Sequence, residues 1–99
     1  MMIAYLVLKS PHEQSPAHMI GRFSRREDST AILLEDGIYH SIEANASKDL
    51  GNATIEVLVS REDLYARGFS EDDLKLGRTA SYGDIVDCIM ERAERTITL

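Results

Sequence analysis

The stretch Ile3-Ala-Tyr-Leu-Val-Leu8 runs directly into the polar loop Lys9-Ser-Pro-His12, and it is the first of three such transitions. The other two are Ala31 to Leu34 before Glu35-Asp-Gly37, and Ile55 to Val59 before Ser60-Arg-Glu-Asp63. Short, mainly apolar runs are typical of strands that are buried on both faces of a parallel sheet. Such sheets hold ligands and partners at the carboxyl ends of their strands. We therefore expect the functional residues in these three loops.

The segments between the strands carry helix signals. Ser15-Pro16 predicts a helix start, because serine caps free N–H groups and proline fits the first turn. Ile38 and Ile42 are four residues apart and predict a second helix. The pattern Ser-x-x-Asp follows three times, at Ser60, Ser70 and Ser81. We interpret these serines as helix caps and not as nucleophiles, since no histidine follows in these segments to act as a base.

The last third of the chain predicts one more helix and two short strands. A helix over 83–93 would pack on the sheet through an apolar stripe formed by Ile85, Val86, Ile89, Met90 and Ala93. Strands are predicted at 76–80 and 96–99. Alternation of strand and helix along the chain predicts a single α/β domain over 1–99. Its expected architecture is a three-layer α/β/α sandwich with a mainly parallel sheet of four or five strands.

Composition limits the classes of function. The chain has 99 residues and a formal net charge of −6, which argues against a nucleic-acid-binding role that depends on neutralising phosphates. No run approaches transmembrane length, and Met1 to Leu8 lacks a basic leader, so no membrane association is expected. One cysteine, Cys88, cannot form an internal disulfide, which suits a reducing compartment. We expect a cytoplasmic protein.

Three segments resemble a known family when they are taken in order. They are Ala31-Ile-Leu-Leu-Glu-Asp-Gly-Ile-Tyr-His40, Val57-Leu-Val-Ser-Arg-Glu-Asp-Leu-Tyr-Ala-Arg-Gly68 and Ser81-Tyr-Gly-Asp-Ile-Val-Asp87. Together they resemble the DsrH/TusB family of sulfur-relay proteins, and the opening Leu8-Lys-Ser-Pro11 and the closing Thr96-Ile-Thr-Leu99 look similar too. The resemblance implies a DsrEFH-like fold with the first strand beside the last, so that the strand order reverses near residues 10–12.

The resemblance also implies partners. Members of the family assemble with DsrE/TusD-like and DsrF/TusC-like relatives into complexes in which a persulfide travels on a cysteine. The pathway is tRNA thiolation in the Tus system and sulfur oxidation in the Dsr system. Some DsrH-like proteins carry a cysteine in the loop after the first strand, but residues 10–21 of this chain contain none. The expected role is therefore a non-catalytic docking or structural subunit.

Cys88 is the only thiol that could carry sulfur. It lies beside the apolar stripe of the last helix, and free cysteines are among the most often buried residues, so we expect it to pack in the core. Sulfane-sulfur transfer needs an exposed thiolate in an electropositive setting. Acceptance of sulfur by Cys88 itself is the minority hypothesis.

The candidate interaction or ligand-binding residues are those that follow the strands: Ser10, His12, Glu35, Asp36 and His40. We expect no metal site and no cofactor, since the histidines lack further ligands at a suitable spacing. Glu62, Asp63 and Arg67 are interpreted as a solvated helix face. The alternative to a docking subunit is a stand-alone homo-oligomeric enzyme or small-ligand protein that uses the loops around His12 and His40.

Overall fold

The computed structural model describes residues 1–99, and at its centre lies a five-stranded sheet with every neighbouring pair of strands parallel. The strands are β1 (Ile3–Val7), β2 (Ser29–Leu33), β3 (Glu56–Ser60), β4 (Arg78–Ala80) and β5 (Arg95–Thr98). Their order is β4-β3-β2-β1-β5. The predicted α/β sandwich is confirmed, and the first strand does pair with the last, so the strand order reverses at β1.

Four helices and several tighter turns connect the strands. The helices are α1 (Pro16–Phe23), α2 (Ala44–Ala53), α3 (Arg61–Ala66) and α4 (Tyr82–Asp87). A 3₁₀ turn over Glu35–Ser41 precedes α2, and a π-helical turn over Cys88–Arg92 extends α4. Shorter 3₁₀ turns cover Arg26–Asp28 and Glu71–Asp73. No helix of the chain is both long and apolar enough to cross a membrane.

Two apolar cores lie on opposite faces of the sheet, because successive strand residues point to opposite sides. The larger core joins Tyr5 and Val7 to Ile20 of α1, Leu50 of α2 and Leu64 of α3. The smaller core joins Ala4, Ile32 and Leu58 to Ile85 and Cys88. Helices α1, α2 and α3 therefore cover one face of the sheet, and α4 with its extension covers the other.

The predicted serine caps are confirmed at three positions. The Ser60 hydroxyl accepts a hydrogen bond from the Asp63 N–H at 3.3 Å, and the Ser81 hydroxyl accepts one from the Asp84 N–H at 3.1 Å. Ser70 and Asp73 form a reciprocal capping box at the start of a 3₁₀ turn. These serines satisfy free backbone donors at helix starts. Ser15 precedes α1 as expected but makes no side-chain capping bond.

The helix predicted over 83–93 is regular only to Asp87. The Ala93 N–H then donates to the Cys88 carbonyl at 3.1 Å, five residues back, which widens the last turn. The apolar face that packs on the sheet is also narrower than expected, because Val86 lies within the regular part of α4 and is already outside that face. Val86 and Met90, which we expected to pack on the sheet, are 53% and 77% exposed, while Ile85 and Cys88 are buried.

The second predicted helix also differs. Ile38 and Ile42 do not share a regular α-helix: Ile38 lies in the 3₁₀ turn, and Ile42 lies between that turn and α2. The cause is a close approach of two backbones. A Cβ added to Gly37 would lie 1.9 Å from the Val7 carbonyl oxygen, so only glycine fits where the turn crosses the end of β1.

We expect Gly37→Ala to lower the free energy of unfolding by about 3 kcal/mol or more, because the added methyl group forces the turn away from β1. Chemical denaturation monitored by circular dichroism measures the loss.

Gly21→Ala is the matched control for this substitution. Gly21 lies in α1 with nothing within 4 Å of its added Cβ, so the free energy of unfolding should stay the same or rise by up to about 1 kcal/mol. Equal stability of the two variants would contradict the packing described for Gly37.

Candidate functional site

The loops after the central strands lie at the carboxyl edge of the sheet, as parallel pairing requires. The polar residues of this edge form two separate groups. His12 and His40 lie on the side of α1 and α2, whereas Glu35 and Asp36 face α3. The 3₁₀ turn separates the groups, because Glu35 and Asp36 stand at its start and His40 near its end.

His40 connects three parts of the fold through hydrogen bonds. Its Nε2 atom lies 3.0 Å from the Lys9 carbonyl oxygen, which can only accept, so Nε2 carries the proton and donates. The backbone carbonyl of His40 accepts a hydrogen bond of 2.8 Å from the hydroxyl of Ser47 in α2. The side chain is almost fully buried. His40 therefore fastens the loop after β1 to the start of α2.

A cleft of about 210 Å³ lies beside His40, between the start of α1 and the start of α2. Glu43 lines this cleft, and the exposed His12 places Nε2 3.8 Å from a Glu43 carboxylate oxygen. The carbonyl of Ser10 accepts N–H bonds from Glu13 and Gln14 at 3.0 and 3.1 Å, which folds the loop into a tight turn. Ser10 thus shapes the loop that carries His12.

Burial lowers the pKa of His40, because it disfavours the charged imidazolium. The Lys9 carbonyl and the Glu43 carboxylate favour the charged form, but their effect is smaller. The ring is therefore held in its neutral form, with Nδ1 unprotonated. Such a group can accept a hydrogen bond, and it supplies no fixed positive charge.

Asp63 is the centre of the second group. One carboxylate oxygen accepts the Glu35 N–H at 3.0 Å, and the other accepts the Tyr82 hydroxyl at 2.8 Å. Arg67 binds the Asp36 carboxylate at 3.0 Å. Glu35, whose N–H donates to Asp63, has a φ of 50°, in the left-handed region that few residues other than glycine adopt. This group, which we call the Asp63 cluster, joins the ends of β2, β3 and β4.

The electrostatics of the Asp63 cluster follow from these bonds. Burial raises the pKa of Asp63, but hydrogen bonds from the Glu35 N–H and the Tyr82 hydroxyl, together with the Ser60 contact and the Arg67 charge, outweigh it and lower the pKa overall. The same bond to Asp63 raises the pKa of Tyr82. These bonds favour a charged Asp63 carboxylate and a protonated Tyr82 hydroxyl.

Asp63 and Tyr82 at this edge were not among the residues predicted from the sequence. Asp63 was interpreted as part of a solvated helix face, together with Glu62 and Arg67, whereas it bonds to residues from three elements. The available signal was the position of Asp63 in the cap that directly follows β3. Nothing in the sequence indicates that Tyr82 lies at this edge, apart from its position next to the Ser81 cap.

Cys88 lies away from this edge, in the smaller core, and is 3% exposed. Burial raises the pKa of its thiol; the nearby Glu56 carboxylate also raises it, and the Arg92 and Arg78 charges oppose the increase. The thiolate that acts as nucleophile in sulfur chemistry is therefore disfavoured. No group of three or more histidine, cysteine, aspartate or glutamate side chains is placed to hold a metal ion.

The family described as "DsrH like protein" matches residues 9–95. No curated protein matches the chain.

Two solved structures share the fold. Protein Tm0979 from Thermotoga maritima is 23% identical, with a TM-score of 0.67 over 92% of this chain and 94% of that one. Protein MTH1491 from Methanobacterium thermoautotrophicum, described as of unknown function, is 17% identical, with a TM-score of 0.70 over 100% of both chains. At these identities, the similarity establishes the fold alone.

We expect acidification to destabilise the protein through His40. Its pKa is lower in the folded state than its usual 6.5, so the unfolded chain takes up the proton first. The stability that the neutral ring contributes is complete above about pH 6.5 and is lost as the pH falls through the folded pKa. Urea unfolding measured between pH 8 and pH 5 should show this decrease.

His40→Asn should flatten the pH dependence of stability over this range. His18→Asn, at an exposed position of α1, is the control. Its free energy of unfolding should depend on pH as that of the wild type does. If the free energy of unfolding of His40→Asn depended on pH as strongly as that of the wild type, the pH dependence could not be assigned to His40.

Proposed function

The chain belongs to the DsrH-like protein family, and we propose that it is the DsrH/TusB-type subunit of a cytoplasmic sulfur-relay assembly. Its expected partners are DsrE/TusD-like and DsrF/TusC-like chains. In this proposal the chain contributes a docking surface, and a cysteine on a partner carries the sulfur. One observation carries this division of roles: the only cysteine is buried in the smaller core and belongs to none of the strand-end loops.

The position of Cys88 supports a non-catalytic subunit. Persulfide transfer proceeds by attack of a thiolate on a sulfur atom, which requires access for the partner's sulfur. Cys88 packs with Ile85, Leu58 and Ala80 in the smaller core, and its thiol is held in the protonated form. Cys88 lines a surface depression of about 230 Å³ together with Arg78 and Arg92, but it is only 3% exposed, so little of its surface is accessible to a partner's sulfur.

The carboxyl edge of the sheet supplies the proposed docking surface. Three of its side chains, His12, Glu35 and Asp36, are exposed, whereas His40 and Ser10 hold the loops that carry them. Strand-end loops on a rigid parallel sheet present side chains in a fixed arrangement, which favours specific recognition. Partner contact at this edge explains why polar residues are concentrated there without an activated catalytic group.

The proposal places the assembly either in tRNA 2-thiouridine formation or in sulfur oxidation. Direct binding of tRNA by this chain is not part of the proposal, because its net charge is −6. The partners would supply the contact with the sulfur acceptor. The pathway is then identified by the acceptor that co-purifies with the complete assembly.

A second candidate function rests on the cleft beside His40. Its volume of about 210 Å³ and the neighbouring Glu43 suit a small ligand, and a homo-oligomeric protein could use the loops around His12 and His40 for this purpose. This candidate has less support, since the one histidine that lines the cleft already donates to the Lys9 carbonyl.

We expect co-expression with DsrE-like and DsrF-like chains from the same genome to give a stable complex that elutes as one peak in size exclusion. Glu35→Arg should weaken this complex by about tenfold or more, because it reverses a charge at the proposed docking edge.

Glu94→Arg is the matched control, with the same charge change at an exposed position before β5, at the opposite edge of the sheet. It should leave the complex intact. Elution of the wild-type chain alone in every combination would reject the docking role and favour the homo-oligomeric alternative.

We expect Cys88→Ala to leave sulfur transfer by the complete complex unchanged, at a cost of about 1 kcal/mol in the free energy of unfolding of this subunit. Transfer is measured with labelled sulfur donor, and folding by thermal denaturation. The wild-type thiol should react slowly with a labelling reagent in the native protein. Loss of transfer in a folded Cys88→Ala complex would instead assign sulfur to Cys88.

A further inference from the structure

Two exposed apolar patches on opposite faces of the sheet have complementary rims. The α1 patch consists of Met19, Phe23 and the flanking arginines Arg22 and Arg25. The α4 patch consists of Val86, Met90 and the flanking acids Asp87 and Glu91. All of these side chains are exposed, and neither patch belongs to the carboxyl edge described above.

The α1 patch is a basic notch. Met19 and Phe23 are 41% and 66% exposed, and together with His18 and Arg22 they line a depression of about 390 Å³. Residues 16–26 contain three arginines and no acidic residue; Glu27 and Asp28 follow, and Asp28 lies 3.6 Å from Arg25, so Arg22 is the cation of the rim without an acidic partner in the chain. Such an apolar surface with a rim of one charge is characteristic of a protein interface.

The notch is held rigidly. The hydroxyl of Ser24, directly after α1, shares hydrogen bonds of 2.6 Å with the hydroxyls of Tyr5 and Ser29. Arg26 donates from Nε to the Gly51 carbonyl at 3.1 Å. The backbone at the end of α1 is thereby fixed to the sheet and to α2, so binding at the α1 patch would require ordering of its exposed side chains only.

The α4 patch is an acidic projection. Ile85 and Cys88 anchor this segment to the sheet, and Val86 and Met90, four residues apart, are 53% and 77% exposed on its outer side. Asp84, Asp87, Glu91 and Glu94 are exposed over this segment. The one basic residue of this segment, Arg92, forms an ion pair with Glu56 at 2.9 Å, so its positive charge does not neutralise these four acidic side chains. One helix covers this face of a five-stranded sheet, which leaves the smaller core thinly protected.

We propose that the α1 patch of one chain binds the α4 patch of a second copy of the same chain. The apolar projection around Met90 enters the notch between Met19 and Phe23, and Arg22 and Arg25 lie against Asp87 and Glu91. Opposite charges at the rim would steer the contact and exclude pairing of like patches. Because the patches lie on opposite faces of the sheet, the contact is head-to-tail, and repetition gives a ring or a chain of subunits.

This inference goes beyond the proposed function. It concerns contact between copies through the faces of the sandwich, whereas the DsrE-like and DsrF-like partners are proposed to dock at the carboxyl edge. Failure of the contact between copies would leave the hetero-complex intact, and the two results are therefore distinguishable.

The test uses two variants that each disable one patch. The first variant combines Arg22→Glu with Phe23→Ser, and the second combines Asp87→Lys with Met90→Ser. Light scattering coupled to size exclusion measures the mass of each at concentrations up to about 1 mM, which detects weak association. Circular dichroism confirms folding, which should persist because all four side chains are exposed.

We expect the wild-type chain to form species larger than its 11.1 kDa monomer, with association that weakens as salt is added. Each variant alone should be monomeric. An equimolar mixture should give a heterodimer and nothing larger, because one α4 patch and one α1 patch remain intact. The control pair Lys48→Glu and Asp72→Lys, at exposed positions outside both patches, should associate like the wild type.

Three results would overturn the proposal. They are a monomeric wild type at every concentration, association of either variant with itself, and a mixture that remains monomeric. Should a double variant fail to fold, the single charge reversals Arg22→Glu and Asp87→Lys replace it. Each single variant should weaken self-association by at least about tenfold, as expected for a lost rim contact. If both single variants associated as strongly as the wild type, the proposal would likewise be overturned.

Discussion

Close packing of Gly37 against the carbonyl of Val7 determines how the carboxyl edge of the sheet is arranged. The missing Cβ lets the 3₁₀ turn cross directly over the end of β1, where the Leu34 N–H donates to the same carbonyl at 3.0 Å. At the start of the turn, Glu35 presents its N–H to Asp63. Near its end, His40 reaches the Lys9 carbonyl. Both polar groups of the edge therefore depend on one backbone contact.

This arrangement favours recognition over chemistry. Most polar groups of the edge are already engaged: Asp63 with Tyr82 and the Glu35 backbone, Asp36 with Arg67, and His40 with Lys9. Such bonds fix the loops and lower the pKa of Asp63, so the carboxylate stays charged and unable to donate a proton at neutral pH. The one thiol, that of Cys88, is buried in the smaller core, on the face of the sheet that α4 covers. A rigid edge without an activated nucleophile suits a docking subunit within the DsrH-like family.

The strand runs and the serine caps could be predicted because each depends on local chemistry. Ala31, Ile32 and Leu33 of the predicted apolar run lie in β2 and are buried, and Ser60 and Ser81 cap the helices that follow them. The division of the edge into two groups could not be predicted, since it depends on the contact between Gly37 and Val7, about thirty residues apart in sequence. The exposure of Val86 and Met90 could not be predicted either, because the apolar residues from Ile85 to Ala93 span a wide arc of the helix, and spacing alone does not show which side of that arc the sheet covers.

The central claim is that this chain joins an assembly of related subunits without carrying sulfur. Intact-mass spectrometry of the affinity-purified chain and its bound proteins, taken from the native host after exposure to a sulfur donor, tests it directly. The account predicts DsrE-like and DsrF-like chains in the purified complex, with added sulfur on a partner and this chain at its unmodified mass. A chain that is recovered without such partners, or with one added sulfur on Cys88, would contradict it.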